Sequence, residues 1–511
     1  MKKPISFGSI GFELVSSMEE DRARPTQETP FRICIMGDFS GRASRGILEP
    51  LKGRRPLHID RDNIDEILKK LKVTIRLEHE GASFDCKFAS LDDFHPESLF
   101  ERLEIFRSLN DTRAKLDDPR TFNTALSELR KLTGDDEPKT EPKKQPLKET
   151  VRPEGGILDQ MIGETLQRPT REPGTTGQSD LDAFVNTIVK PYLVAREDPD
   201  KDQLKAALDE IVSLIMAEVL HNPAFQAVES AWRGICFLVS RVETDEMLSI
   251  YLLDISQEEL AADLLADDNL MFTAIYKLFV EEVVSTLGGT PWAVLIGNYT
   301  FGYDNTAVLG RMGKIAALAG APFLTHAEAQ LIGCESLYKT PHHAVWKHVP
   351  DHEAELEWDA LRHLPEATYI GLAIPRFLLR LPYGKDSDPV DVFDFEEMSD
   401  GLQHEHYLWG NPAFVCAYLL AEAFSHEGWS MTPGSVHDIE GLPLHVNRID
   451  GESRLKPCAE VLLTDDAIEI ILNKGIMPIA TIMDTDAARL MRFQSLADPP
   501  TRLAGRWAGR E

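Results

Sequence analysis

Two stretches hold the side chains whose types could carry catalysis. Ser430 in GWSMT, followed by His437 and Asp438, supplies the three residue types of a hydrolase triad. A nucleophile elbow needs a second glycine so that the strand can turn sharply, and Thr432 stands in its place. An ordinary loop after a helix is the better reading. His342, His343, His348 and His352 form the densest histidine cluster, and the last two have the i, i+4 spacing of a metal pair on a helix. Pro350 lies between them and argues against a helix running through. The run Gln403-His404-Glu405-His406 also lacks the spacing of a zinc helix. Solvated or hydrogen-bonded histidines are expected at both places.

Phosphate chemistry fares no better. GDFSGRASRG at 37–46 places three glycines after a strand but lacks the Gly-Lys-Ser/Thr ending that reaches the β- and γ-phosphates and the metal. Gly313-Lys314 fails in the same way, since Val308 occupies the first-glycine position and Ile315 replaces the hydroxyl residue. Between Asp386 and Asp400 lie seven acids and no lysine or arginine. An EF-hand loop would want glycine where Asp391 stands. The alternation of Asp391, Phe393 and Phe395 with Val392 and Asp394 suits a strand edge facing an oppositely charged partner, and a solvated acidic loop fits equally well. No catalytic, cofactor or metal-ligating residue is assigned.

The elements that carry these residues suggest two α/β units. FRICIMGDF at 31–39 is short, continuously apolar and stops at Gly37, as a buried strand does. DFHPESLFERLEIFRSL starts a helix near Asp93, with Pro96 in its first turn and Leu99, Leu103, Phe106 and Leu109 on one face. Residues 134–156 hold six acids, five bases and four prolines with little to bury, so they read as a linker. Within the flexible segment 133–180, Ile157, Leu158, Met161, Ile162 and Leu166 share one face of a short helix over 157–166. From 181 to 511 apolar periodicity is dense. It is first helical, then strand-like runs such as WAVLIG, ATYIGLAI and CAEVLL alternate with helical ones such as FVCAYLLAEAF. Residues 1–30 form an arm in which Ile5, Phe7, Ile10, Phe12 and Leu14 alternate as in a strand that needs a partner.

At 511 residues with 43% hydrophobic and 27% charged side chains, the chain has material for two or three domains. Its net charge of −30 disfavours nucleic acid and anionic lipid. The six cysteines show no Cys-x-x-Cys and sit mostly in apolar runs, as reduced core thiols do. Neither a signal-peptide core nor a run of about 18 apolar residues is present, so no membrane insertion and a cytoplasmic location are expected.

Several motifs resemble the contractile-sheath proteins of type VI secretion. FRICIMGDFSGR at 31–42, RRPLHIDRDNIDEIL at 54–68 and SLDDFHPESLFERL at 90–103 resemble the small (TssB-like) subunit. LDAFVNTIVKPYLV at 181–194, LHNPAFQAVESAWRGICFLV at 220–239, FLLRLPYGK at 377–385 and YLWGNPAFVCAYLLAEAF at 407–424 resemble the large (TssC-like) subunit. The resemblance implies a fused protomer: a small-subunit-like region at 31–132 and a large-subunit-like region at 181–511, with mixed sheets flanked by helices. It implies a structural protein, not an enzyme, whose partners are sheath subunits or copies of itself, with the inner tube, the baseplate and an AAA+ disassembly ATPase as further partners. The helix 157–166 occupies the place where large subunits present a segment to that ATPase, and packing on its own domain is the alternative. Residues 5–14 are placed as an inter-subunit strand. Family large subunits continue beyond the region resembling PCAEVLLTDDAIEIILNKGIMPIATI into an exchanged arm, whereas this sequence stops at Glu511. A non-polymerising regulator, cap or baseplate-adjacent adaptor therefore stands beside the sheath-building role. On the physical side, Phe225, Val228, Trp232, Ile235 and Val239 share one helical face, so Phe225 and Trp232 are core. Trp409 precedes a tight turn at Asn411-Pro412 that opens a buried helix.

Overall fold

A computed structural model describes residues 5–10, 25–79, 82–117, 120–121, 201–283, 289–399, 401, 403–449 and 452–507. The linker and its helix 157–166 lie outside them. The chain forms two compact units, one from 1–77, 85–102 and 216–511, the other from 78–84 and 103–215.

The strands, in chain order, are β1 (Phe31–Gly37), β2 (Leu57–Ile59), β3 (Thr74–His79), β4 (Ala82–Lys87), β5 (Leu248–Asp254), β6 (Val294–Phe301), β7 (Phe323–Ala327) and β8 (Ile370–Ile374). They continue with β9 (Phe377–Leu378), β10 (Trp409–Gly410), β11 (Asp438–Ile439), β12 (His445–Ile449), β13 (Glu452–Lys456), β14 (Ile476–Thr481) and β15 (Ala488–Leu490). Nine of them form one mixed sheet in the order β11-β15-β14-β8-β7-β6-β1-β5-β2. β1 is its structural surprise. It runs parallel to β5 on one side, from Phe31↔Leu248 to Gly37↔Asp254, and parallel to β6 on the other. The strand of the small-subunit-like region thus fills an interior slot in a sheet otherwise built mainly by the large-subunit-like region. A strand flanked on both sides and covered on both faces must be largely apolar, which is why FRICIMG has no alternation; its one charge, Arg32, lies half-buried over the rings of Tyr251 and Trp292.

Alternate residues of β1 enter different layers. Cys34 and Met36 join a core with Leu309, Met312 and Ile315 of the helix Thr306–Ala319. Phe31 faces the other way, its ring 4.7 Å from that of Phe424 in the helix Ala413–Glu427. Asn411 opens that helix by accepting from Ala413 N and donates across to the Tyr299 carbonyl, so the turn is tied to β6. The helix Pro223–Arg241 is capped by Asn222, with proline in its first turn. It buries Phe225, Val228, Trp232, Ile235 and Val239. Trp232 Nε1 donates to the Phe39 carbonyl at 2.8 Å.

The glycine-rich loop after β1 binds an anion, but the anion is the protein's own. Asp254 at the end of β5 accepts from the N–H groups of Phe39 and Ser40, the Ser40 hydroxyl and Arg42 Nε. Asp38 accepts from the N–H groups of Arg42 and Ala43. The backbone donors a phosphate would need are thereby occupied. Gly41 has a φ of +74°, and a Cβ there would collide with the Thr74 carbonyl.

A buried ion network crosses the same unit. Arg380 donates to Glu229 at 2.9 and 3.3 Å and to Glu397 at 2.7 and 3.1 Å. Arg233 also reaches Glu229, at 2.7 Å, and Tyr383 N donates to Glu397. Both carboxylates and Arg380 are buried. In the second unit, Arg113 pairs with Asp209 at 2.9 Å between the helices Glu104–Asp117 and Lys201–Leu220.

One sequence expectation changes: CAEVLL forms no extended strand, and Ala459 makes a single antiparallel bridge to Phe377, flanked by bonds from Leu378 N to the Cys458 carbonyl and from Glu460 N to the Arg376 carbonyl. Of the two readings of the acidic run, residues 386–396 take the loop: Phe393 and Phe395 are buried, while Asp391 N donates to Glu97. No single helix among the described residues is long and apolar enough to cross a membrane.

Candidate assembly interface

β12 and β13 pair only with each other, in the register His445↔Lys456 to Ile449↔Glu452. Among the described residues no third strand joins either edge, so each outer edge offers a row of backbone donors and acceptors. Val446 and Leu455 sit directly opposite one another, 49% and 41% exposed. A lone two-stranded ribbon is marginal in water, so this one needs an anchor.

Its base provides one. The Lys456 ammonium lies 5.4, 5.4 and 5.2 Å from the ring centroids of Tyr338, Tyr407 and Trp409, an aromatic cage for a cation. Burial pushes this ammonium's pKa down, and nearby Glu460 opposes the shift. His404 is buried between Tyr338 and Trp409, with centroids 4.1 and 4.9 Å away. Lys456 can only donate, so His404 Nδ1, at 3.3 Å, accepts, and its Nε2–H donates to Glu460 at 3.0 Å. Burial would raise the Glu460 carboxyl, yet the bonds from His404 and Arg376 hold it well below the usual carboxylate range. On the opposite strand, His445 Nδ1 and the Tyr407 hydroxyl are 2.8 Å apart. Both strands of the ribbon are therefore tied to the body at their root. Lys456→Met keeps the stem and removes the charge; it is expected to loosen the ribbon by about 1–2 kcal/mol. Hydrogen exchange should accelerate over 445–456 and remain unchanged in β1.

Of the residues singled out by sequence, Phe225 and Trp232 lie in the core, and Trp409 is a wall of this cage. Ile157, Leu158, Met161, Ile162 and Leu166 lie outside the described residues, as do Phe12 and Leu14. Ile5, Phe7 and Ile10 are described, but not as a free strand. Ser9 makes a single parallel bridge to Asn269, Arg311 and Lys314 take the carbonyls of Ser6 and Gly8, and Phe7 seats on Gly310. Those side-chain donors occupy carbonyls that a partner strand would use. Sequence reasoning missed Tyr338, Arg376, Lys456 and Glu460, which come together only in the fold. The available signal was Arg376 and Arg380, two charges in the apolar run PRFLLRLPYG.

Ser430 and His437 do line one cleft, of about 760 Å³. Asp438, however, is held by Arg489 at 2.6 and 2.8 Å and lies 3.9 Å from His437. His352 opens its helix and His348 precedes it, so the two share no helical face. Among the described residues no group of three or more His, Cys, Asp or Glu could hold a metal.

Comparison with known proteins places these features. Residues 202–497 match the family described as EvpB/VC_A0108, tail sheath N-terminal domain. Residues 13–134 match the family described as Type VI secretion system, VipA, VC_A0107 or Hcp2. The chain is 33% identical over 318 residues to the type VI secretion system sheath protein TssC1 of Pseudomonas aeruginosa, covering 58% of this chain and 61% of that one. It is 30% identical over 105 residues to TssB1 of the same organism, covering 19% of this chain and 59% of that one. It thus spans about six tenths of the length of each curated relative it matches. With the large-subunit match covering more than half of the sequence and the small-subunit match preceding it, the chain belongs to the type VI secretion tail sheath family and joins both subunit types in one polypeptide.

Proposed function

We propose that this protein is a structural, sheath-type assembly component of a type VI secretion apparatus, acting in the cytoplasm as a fused protomer. It works through packing between protomers and not through a catalysed reaction. The observation that carries this reading is the β12–β13 ribbon, anchored at its root and, among the described residues, unpaired along both edges, which suits strand addition from a neighbouring chain. In this reading the chain divides into an arm at 1–30, the small-subunit-like region 31–132, the tether 133–180 and the large-subunit-like region 181–511. The tether keeps the two regions at millimolar effective concentration, so β1 reaches its slot without a second diffusional encounter. Sheath subunits or further copies are the primary partners. The inner tube, the baseplate and the AAA+ ATPase, the last through 157–166, complete the set.

Electron microscopy of the purified full chain, alone and mixed with ordinary sheath subunits, tests the proposal. Tubules or capped tubules are expected, and Val446→Lys with Leu455→Lys should abolish them while leaving the thermal midpoint unchanged. Uniformly small particles from the unaltered chain in both conditions would overturn the assembly reading in favour of a non-polymerising regulator.

A further inference from the structure

The cleft that contains Ser430 and His437 has a second character. Its rim carries Arg489, Arg492 and Arg502, and no carboxylate is among its lining residues. Arg489 is committed to Asp438, but Arg492 and Arg502 have no ion-pair partner among the described residues and are exposed. In a chain of net charge −30, unopposed arginines grouped in a concavity mark a surface matched to something acidic. The floor is apolar, with Phe493 and Trp507, and Met491 is 42% exposed beside them. It also holds an incomplete polar group. Gln494 is 1% exposed and its Nε2 donates to the carbonyls of Leu472 and Ile476, while its Oε1 is buried with no hydrogen-bond partner.

The complementary shape is on the same chain. The loop 386–396 is pinned from beneath by Phe393 and Phe395, by the Asp391 N–H to Glu97 and by the Lys385–Asp394 pair. What it shows to solvent includes Asp386, Asp388, Asp391, Asp394 and Glu396, with Val392, just after Asp391, at 38% exposure. Neither Asp386 nor Asp391 has a cationic partner among the described residues, so the loop does not answer the arginines of its own chain. We propose that the acidic loop 386–396 of one copy docks in the arginine-rimmed cleft of a second copy, with Asp386 and Asp391 facing Arg492 and Arg502. Val392 then meets the apolar floor. The contact is heterologous, loop to cleft, so each copy that docks leaves a further loop and a further cleft to engage. It requires self-association, as the assembly reading does, but is separate from the ribbon.

A charge swap tests it in the full chain carrying Val446→Lys and Leu455→Lys, so that loss of ribbon pairing is already accounted for. Sedimentation velocity should show salt-sensitive self-association of this background. Arg492→Glu with Arg502→Glu, and separately Asp386→Lys with Asp391→Lys, should each weaken it by about tenfold or more. An equimolar mixture of the two charge variants should recover it, since each now offers the other a complementary face. Circular dichroism and thermal midpoints should match the background throughout. A background that stays monomeric, a mixture that fails to associate, or an effect confined to the arginine variant would each overturn the proposal. The last outcome would mean that the cleft receives an acidic partner other than this loop.

Discussion

Trp232→Ala is expected to cost about 3–5 kcal/mol and to move the protein largely into the insoluble fraction. The indole is fully buried, packs edge-on to Phe39 with centroids 5.8 Å apart, and donates to the Phe39 carbonyl. Truncation would empty the largest side-chain volume in that contact and leave the acceptor unmet. Its position makes the effect larger than that of an average core residue, because Phe39 belongs to the turn that follows β1. Urea unfolding of whatever remains soluble should give a lower midpoint with a similar slope. Trp232→Phe should recover part of the loss, lacking the N–H and the volume of the second ring. Wild-type solubility and midpoint in Trp232→Ala would contradict this account of the core.

Arg380→Met should be of similar magnitude by a different cause. Removing the guanidinium takes that cation from Glu397 and leaves Glu229 to Arg233 alone, and breaking such a buried network costs about 3–5 kcal/mol. Adding Glu397→Gln to Arg380→Met should return part of the stability, since Glu229 keeps Arg233 and the other carboxylate charge is gone. Calorimetry of the two variants decides. The unaltered protein should also show an acid limb from this site. Burial works to raise the Glu397 carboxyl, but Arg380 and its hydrogen-bond donors bring it down to about 2 from an ordinary 4.5. A depressed pKa contributes stability that is complete above about pH 4.5 and is lost as pH falls toward 2, here on the order of 3 kcal/mol.

Much of the local structure was legible in the sequence. Pro96, Asn222-Pro223 and Asn411-Pro412 each open a helix where the capping chemistry places one, and FRICIMG forms the short buried strand its composition requires. The position of that strand was not legible. An all-apolar run declares that both faces are covered, but it carries no record of which strands flank it, so β1 read as the centre of its own small unit. The interface was hidden for a related reason. Lys456 looks like an ordinary charged strand end, and only the convergence of Tyr338 with Tyr407 and Trp409, about seventy residues further along the chain, makes it an anchor. The acidic run at 386–400 was visible as composition; which of its residues face outward depended on Phe393 and Phe395 finding a pocket.

The interior slot of β1 also sets a timetable for synthesis. β1 leaves the ribosome roughly two hundred residues before β5 and longer still before β6, the two strands that flank it. At bacterial elongation rates that interval is on the order of ten to fifty seconds, during which FRICIMG is an unpaired, aggregation-prone strand on a nascent chain. A strand from the interior of the sheet thus waits long for its cover, and the demand for a holding chaperone should fall on the first hundred residues, ending when β6 emerges.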